Sequence, residues 1–216
     1  MDRPQPVTSE LEHDLANIRS LNRWFGSYPQ VRYFLSCWLK ANGKARILDA
    51  ATGSGDIPRL IVDFARRHNV SVRIDAIDQQ SSTIEIARSL SADYPEIEFF
   101  SADLFEWKPP APYDIVHCSL ALHHFSDDDA VRVLQKCREL SCEHIVVADL
   151  RRSRWLSLGV YVMTAAIYRN AMTKTDARLS AARAFSFEEM RGLAERAGWK
   201  NFGHRKFPTG RQAIWL

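Results

Sequence analysis

The chain has 216 residues, of which 46% are hydrophobic and 25% are charged. This length and composition suffice for one substantial buried core, so we expect residues 1–216 to form a single domain. The formal net charge of +3 is too small to indicate a nucleic-acid-binding protein.

The first segment, residues 9–41, is predicted to be helical. Leu11, Leu15, Ile18 and Leu21 recur at helical spacing, and a break is expected at residues 26–29. We therefore expect two or three helices before the first strand.

A glycine turn follows in the stretch RILDAATGSGDIPRL, residues 46–60. Gly53 and Gly55 can take positive φ and leave no Cβ between backbone and ligand. Asp56 followed by Pro58 is typical of a helix N-terminus. A short apolar strand that enters such a turn indicates a nucleotide-type ligand site.

The turn lacks the features of phosphate-binding loops. Pro58 stands where a dinucleotide fingerprint has its third glycine, and Asp56 stands where a P-loop has its lysine. Asp49 and Asp56 would also repel a diphosphate. The turn therefore suits a ligand with an adenosine but no phosphate, and S-adenosylmethionine (SAM) fits that description.

Strand and helix patterns then alternate, which predicts a parallel sheet with right-handed crossovers. The predicted strands are 45–50, 72–78, 97–101, 113–119 and 144–149, and the predicted helices are 57–68, 82–91 and 127–140. A helix over 186–197 carries the capping-box pattern of Ser186 and Glu189. Residues 199–207 and 211–216 are expected to form an antiparallel strand pair.

Three downstream features add to the turn. Asp78 ends the second strand about 20 residues past the turn, where a carboxylate can accept ribose hydroxyls. The segments FFSADL, residues 99–104, and YDIVHCSLAL, residues 113–122, follow in order. With the turn DAATGSG at residues 49–55, these motifs resemble the class I SAM-dependent methyltransferases, in particular the small-molecule UbiE-like and type 11/12 groups.

The resemblance implies a Rossmann-like, doubly wound, seven-stranded α/β sheet with mostly parallel strands. Residues 1–44 would be an N-terminal helical cap, residues 45–150 the SAM-binding core, and residues 151–185 an insertion forming a lid. Residues 186–216 would supply the last helix and the antiparallel strands. The expected cofactor is SAM, with S-adenosylhomocysteine (SAH) as its product.

The resemblance also implies a cofactor site. In it, Asp103 and its neighbours would hold the adenine, the end of the fourth strand would face the methyl group, and Arg23 would reach the SAM carboxylate. The expected cofactor-binding residues are Arg23, Asp49, Ala51, Thr52, Gly53, Ser54, Gly55, Asp78, Gln79, Ala102, Asp103, Leu104, Cys118 and Ser119. For Asp49, Asp78 and Asp103, a capping or surface role is the alternative.

Catalysis is expected at the LHH segment after the fourth strand. A histidine titrates near pH 6.5 and suits proton removal from an acceptor. His123 or His124 is the candidate base, with His123 preferred and Asp149 as the nearby acid, as in similar small-molecule O-methyltransferases. The alternative is a histidine that only bonds to the backbone.

The insertion is the candidate acceptor region. Residues 155–168, WLSLGVYVMTAAIY, are apolar but shorter than the roughly 20 residues that span a bilayer. They are read as a lid, a buried helix or an interfacial helix. The expected substrate residues are His123, Arg151, Arg152, Trp155, Tyr161 and Met163, although the basic residues also suit a solvated loop.

No metal site is expected, since the acidic run at residues 127–129 suits a helix start. The four cysteines lack paired spacing, and the N-terminus lacks a signal-peptide pattern, so a cytoplasmic protein is expected. The predicted function is methyl transfer, with O-methylation favoured, to a phenol, quinol or polyketide. The alternatives are C-methylation of a quinone or polyketide precursor, and a SAM-binding protein with a cyclase-like or partner-binding role.

Overall fold

The computed structural model describes residues 6–24, 26–40, 43–153 and 171–216, with only the backbone for residues 171–176. Its centre is a seven-stranded sheet in the order β3-β2-β1-β4-β5-β7-β6. The strands are β1 (Lys44–Ala50), β2 (Ser71–Asp78), β3 (Ile97–Ser101), β4 (Tyr113–Ser119), β5 (Ser141–Leu150), β6 (Gly203–Phe207) and β7 (Arg211–Trp215). β1 to β5 pair in parallel, whereas β7 is antiparallel to both β5 and β6.

Helices cover both faces of this sheet. Those in the described ranges are α1 (Ser9–Trp24), α2 (Ser27–Trp38), α3 (Asp56–Arg67), α4 (Ser81–Leu90), α5 (Asp127–Leu140), α6 (Ala171–Arg183) and α7 (Phe187–Arg196), with a 3₁₀ turn at Leu122–His124. The expected Rossmann-like fold with an N-terminal helical cap is confirmed. None of the described helices is long and apolar enough to cross a membrane.

The core forms because the central strands are apolar on both faces. Ile47 and Leu48 alternate along β1 and are both fully buried, on opposite sides of the sheet. On one side Ile47 packs with Ile61 of α3, and on the other Leu48 packs with Leu134 of α5. This packing on both faces fixes the positions at which the central strands end.

The N-terminal helices begin where the apolar spacing predicts. The break between α1 and α2 falls at Gly26, which has φ of 93°. Phe34 of α2 packs on Val146 and Ala213 of the sheet. α1 instead packs Leu11 and Leu15 against Ile86 of α4.

The predicted strand at 199–207 is too long, since β6 begins at Gly203. Trp199 is buried, and its indole N–H donates to the carbonyl oxygen of Leu134 in α5 at 3.2 Å. Residues 199–202 therefore pack back against a helix instead of pairing with β7.

The predicted capping box of α7 is present. The Ser186 side chain accepts the backbone N–H of Glu189, and the Glu189 side chain accepts the backbone N–H of Ser186.

Candidate active site

A cavity of about 1070 Å³ opens at the carboxyl ends of the parallel strands. The turn after β1 and the ends of β2, β4 and β5 form its floor, and α1 contributes Leu15, Ile18 and Leu21 to its wall. The predicted residues that line it are Asp49, Ala51, Thr52, Gly53, Ser54, Asp78, Gln79, Ala102, Asp103, Leu104, Cys118, Ser119, His123, His124 and Arg151. Ligands of open α/β sheets bind at this edge.

The two glycines of the turn have different surroundings. Both have positive φ, 56° for Gly53 and 70° for Gly55. A Cβ on Gly53 would meet no atom within 4 Å, and this residue lines the cavity. A Cβ on Gly55 would lie 2.8 Å from the ring of Phe99. Gly53 therefore leaves space for a ligand, whereas Gly55 lets the turn pack on β3.

Asp78 links β2 to the glycine turn. Its Oδ2 accepts the backbone N–H of Gly53 at 2.9 Å, and its Oδ1 accepts that of Gln80 at 3.0 Å. Burial raises the pKa of Asp78, against the lowering effect of these backbone hydrogen bonds. A carboxylate has about four lone-pair sites, so Asp78, which lines the cavity, can still accept a hydroxyl donor.

Asp49 has a partner that the motif does not reveal. His117 lies beside it in the β1–β4 register, and its Nδ1 is 2.6 Å from Oδ1 of Asp49. Both side chains are buried, and Nε2 of His117 has no hydrogen-bond partner among the described residues. The pair holds the Asp49 carboxylate at the cavity floor.

The N-terminal cap reaches the turn through Asn22. Its Nδ2 donates to Oδ2 of the buried Asp56 at 3.0 Å, and its Oδ1 accepts the hydroxyl of Ser27 at 3.0 Å. Burial raises the pKa of Asp56, and the charge of Asp49 adds to this effect. Burial and the Asp56 carboxyl raise the pKa of Tyr28 to about 12.

Arg23 is not brought to the cavity. It is exposed, and its guanidinium lies 5.8 Å from the ring centroid of Trp24, a residue that is itself 74% exposed. Adjacent residues of a helix point about 100° apart, so Asn22 faces inward where Arg23 faces out.

His123 and Asp149 form a buried pair at the other end of the cavity. Nδ1 of His123 lies 2.7 Å from Oδ1 of Asp149, whose Oδ2 accepts the backbone N–H of His123 at 3.0 Å. Burial alone would raise the pKa of Asp149, but the charge and hydrogen bonds of His123 and the amide of Leu150 outweigh it, so the pKa is lowered. The ionised carboxylate favours a proton on Nδ1 of His123 and leaves Nε2 as the acceptor.

His124 has a different environment. Its ring centroid is 4.2 Å from that of His123, but its side chain is exposed. It also borders a smaller cavity of about 360 Å³, together with Arg152 and Glu189. Arg152 is exposed and ion-paired with Glu189, so it lies outside the main cavity. The two histidines, of which the sequence analysis prefers His123 as the base, therefore lie in different environments.

Two arginines border the cavity beside His123. Arg151 follows β5, and Arg211 begins β7. Arg211 is 4% exposed, and burial lowers its pKa to about 10 against the opposing charges of Asp149 and Asp56. Its guanidinium therefore remains charged at neutral pH. Sequence reasoning missed Arg211, because nothing in the C-terminal strand pair indicates that its first residue reaches the site.

Three predicted substrate residues, Trp155, Tyr161 and Met163, lie outside the described residues. The described part of the following helix, α6, contributes Ala177 and Ser180 to the cavity wall. In the described ranges, no group of three or more His, Cys, Asp or Glu side chains could hold a metal ion.

Residues 47–142 match the family model of a methyltransferase domain. The chain is 27% identical over 103 residues to pluviatolide O-methyltransferase of Sinopodophyllum hexandrum, covering 48% of this chain and 25% of that protein. It is 33% identical over 79 residues to 2-phytyl-1,4-naphtoquinone methyltransferase of Thermosynechococcus vestitus, covering 37% and 34% of the two chains. The chain thus spans about a quarter to a third of the length of these curated relatives.

Among solved structures, the fold is similar to that of the plantazolicin methyltransferase BpumL in complex with SAH. The TM-score is 0.68 at 12% identity, over 95% of this chain and 88% of that one. Residues 47–142 are thus similar to a methyltransferase domain, and the fold is that of a solved methyltransferase that binds SAH, as the turn and its downstream motifs predict. SAM is the cofactor of this class of enzyme.

Proposed function

We propose that this chain is a SAM-dependent O-methyltransferase that acts on a small aromatic or lipid-like acceptor. One observation carries the proposal: His123, which is paired with the buried Asp149, borders the same cavity as the glycine turn. A site for an adenosine-containing cofactor and a candidate general base therefore face one shared space.

The residues around the turn fit SAM. The open space beside Gly53 accommodates a ligand close to the backbone, and Oγ1 of Thr52 is buried in the cavity wall without a hydrogen-bond partner among the described residues. We assign Asp78 to the ribose hydroxyls, and Asp103 with Leu104 to the adenine. Asp49 supplies negative charge for the cofactor's ammonium group.

When bound, SAM supplies a methyl group on a cationic sulfur, which leaves as a neutral thioether as the acceptor oxygen forms the new carbon–oxygen bond. Nε2 of His123 takes the proton of the acceptor hydroxyl. Asp149 is a positioning residue that fixes the tautomer of His123 and stabilises the imidazolium after proton transfer. The protein's further contribution is to hold the hydroxyl near the methyl group and exclude water.

The walls of the cavity favour an apolar acceptor. Leu15, Ile18 and Leu21 on α1 line the cavity, and so do Phe105 and Phe125. Methyl transfer to carbon on a quinone precursor is the second candidate reaction, because one relative is named a naphthoquinone methyltransferase. The pair of His123 and Asp149 favours methyl transfer to oxygen, because an acceptor hydroxyl needs a base to remove its proton.

The test combines cofactor binding, turnover and product analysis. Purified protein should bind SAH in calorimetry, and radiolabelled SAM should give labelled products in a panel of phenols, quinols and lipid extracts. His123→Ala should lower turnover by roughly 10²–10⁴-fold, the usual contribution of a general base, with SAH affinity nearly unchanged. His124→Ala is the matched comparison and should retain most of the turnover.

Three results would count against this function. A product methylated at carbon would refute O-methylation, and full turnover in the His123, His124 and double alanine variants would refute the base. SAH binding without transfer to any member of the panel would favour the non-methylating, cyclase-like or partner-binding alternative.

A further inference from the structure

The strand order separates a cofactor side of the cavity from an acceptor side. The site residues follow the edge of the sheet from Asp78 on β2, through the turn after β1, to Asp149 on β5 and Arg211 on β7. Neighbouring strands are about 4.8 Å apart, so β7 starts roughly 14 Å from β1. Groups beside β5 and β7 are therefore placed next to His123 and away from the adenosine end.

Arg151 brings a positive charge to this acceptor side. Its backbone N–H donates to the carbonyl oxygen of Gly210 at 2.7 Å, which ties it to the start of β7, and its side chain lines the cavity. Its Nε is buried and has no hydrogen-bond partner among the described residues. A buried guanidinium N–H without an acceptor is costly, so the position calls for a bound acceptor group.

The neighbouring carboxylates are already engaged. Asp149 is held by His123 and by backbone amides, and Asp56 accepts from Asn22. Arg211 experiences the opposing charges of both carboxylates. With His123 neutral, the two carboxylates and the two guanidinium groups balance in charge, so the Nε of Arg151, unpartnered among the described residues, and not an excess of positive charge, indicates a bound acceptor group.

We propose that the acceptor is an aromatic hydroxy acid whose carboxylate is bound by Arg151. This inference rests on the proposed methyltransferase function and adds a substrate class to it. A guanidinium and a carboxylate form two parallel, charge-assisted hydrogen bonds, which would satisfy the buried Nε. The apolar walls then contact the ring, and the acceptor hydroxyl faces Nε2 of His123.

The test uses matched pairs of hydroxyarenes, each as the carboxylic acid and as its primary amide. Binding to SAH-loaded protein is measured by calorimetry, and transfer is measured with labelled SAM. The acids should bind the wild-type protein about 10- to 100-fold more tightly than the amides, as expected for hydrogen bonds to a charged group. Arg151→Met should abolish this preference and leave SAH affinity unchanged.

Arg73→Met is the matched control, because Arg73 is exposed near the start of β2, at the opposite end of the strands from the cavity. It removes the same net charge and should keep the preference for acids. Equal binding of acids and amides by the wild-type protein, or an unchanged preference in Arg151→Met, would overturn the inference.

The outcomes also separate this inference from the function on which it rests. If Arg151→Met weakens SAH binding and leaves the acid preference intact, Arg151 serves the cofactor and the inference is wrong. Transfer to neutral phenols alone would refute the hydroxy acid but support the methyltransferase. Failure of the wild-type protein to bind SAH would refute both.

Discussion

The two turn glycines make a sharp test of the site, because Gly53→Ala and Gly55→Ala are the same chemical change in two environments. Both positions have positive φ, which costs a non-glycine residue about 1–2 kcal/mol. At Gly53 the new methyl group would meet no protein atom within 4 Å. We expect Gly53→Ala to lower the free energy of unfolding by this backbone term alone.

At Gly55 the methyl group would overlap the ring of Phe99, 2.8 Å away. Overpacking of a buried contact adds about 1–3 kcal/mol, so Gly55→Ala should cost about 2–5 kcal/mol in total. In a chain of this length, each kcal/mol lowers Tm by about 2–4 °C. Gly55→Ala should therefore unfold several degrees below Gly53→Ala.

The cofactor affinities should follow the opposite order. The Gly53 methyl group would stand in the space that the cavity leaves for SAH, so this variant should lose most of its SAH affinity despite the smaller loss of stability. Urea unfolding and calorimetry on the same preparations measure the two quantities. Adding Phe99→Leu should recover part of the stability of Gly55→Ala and none of the SAH affinity of Gly53→Ala.

Equal destabilisation by the two alanines would refute the packing argument, because only Gly55 has a close neighbour for its Cβ. Wild-type SAH affinity in folded Gly53→Ala would refute the placement of the cofactor against this turn.

Three further predictions concern the cofactor and pH. Asp78→Ala should reduce SAH affinity by about 1–3 kcal/mol, the cost of lost hydrogen bonds to a charged group. Calorimetry measures this affinity, and Asp128→Ala is the control because Asp128 is exposed. Wild-type affinity in Asp78→Ala would show that Asp78 does not bind the cofactor. NAD and ATP should not displace bound SAH, because Asp49 and Asp56 oppose a polyphosphate; displacement by micromolar NAD would contradict this. Burial lowers the pKa of His204 to about 4 in the folded protein, whereas a histidine in the unfolded chain has a pKa near 6.5. The unfolded chain therefore takes up a proton first, and the free energy of unfolding should fall as the pH is lowered from about 6.5 towards 4. His204→Phe, which keeps a ring against Phe187, should flatten the fall of Tm over that range, and an NMR titration of His204 near pH 6.5 would refute the assignment.

The regular elements were largely predictable because their patterns are local. The strands at Ile97–Ser101 and Tyr113–Ser119 and the helix at Asp127–Leu140 match the predicted bounds. Each is an apolar run or a capped helical period that neighbouring residues define. The start of β6 was mispredicted, because the burial of Trp199 against α5 depends on a helix 65 residues away in the chain.

The residues of the site likewise divide into those that local sequence predicts and those that depend on the packing of distant elements. The glycine turn, Asp78 and His123 were predicted from local order and line the cavity, since strand-end acids and glycines follow from the order of short segments. That Asn22 contacts the site and Arg23 does not depends on which face of α1 meets the helix start after the glycine turn. No local signal distinguishes those two neighbours.

The sequence by itself determined the α/β fold, the kind of cofactor turn and the candidate base, because strand and helix periods, positive-φ glycines and strand-end acids are properties of short segments. Only the tertiary structure determined which side chains lie next to the charged residues of the site. His117 meets Asp49 through the β1–β4 register, and Arg211 reaches the cavity through the antiparallel pairing of β7 with β5. A shift of one residue in either register would turn these side chains to the opposite face of the sheet, so their roles follow from packing of the whole core.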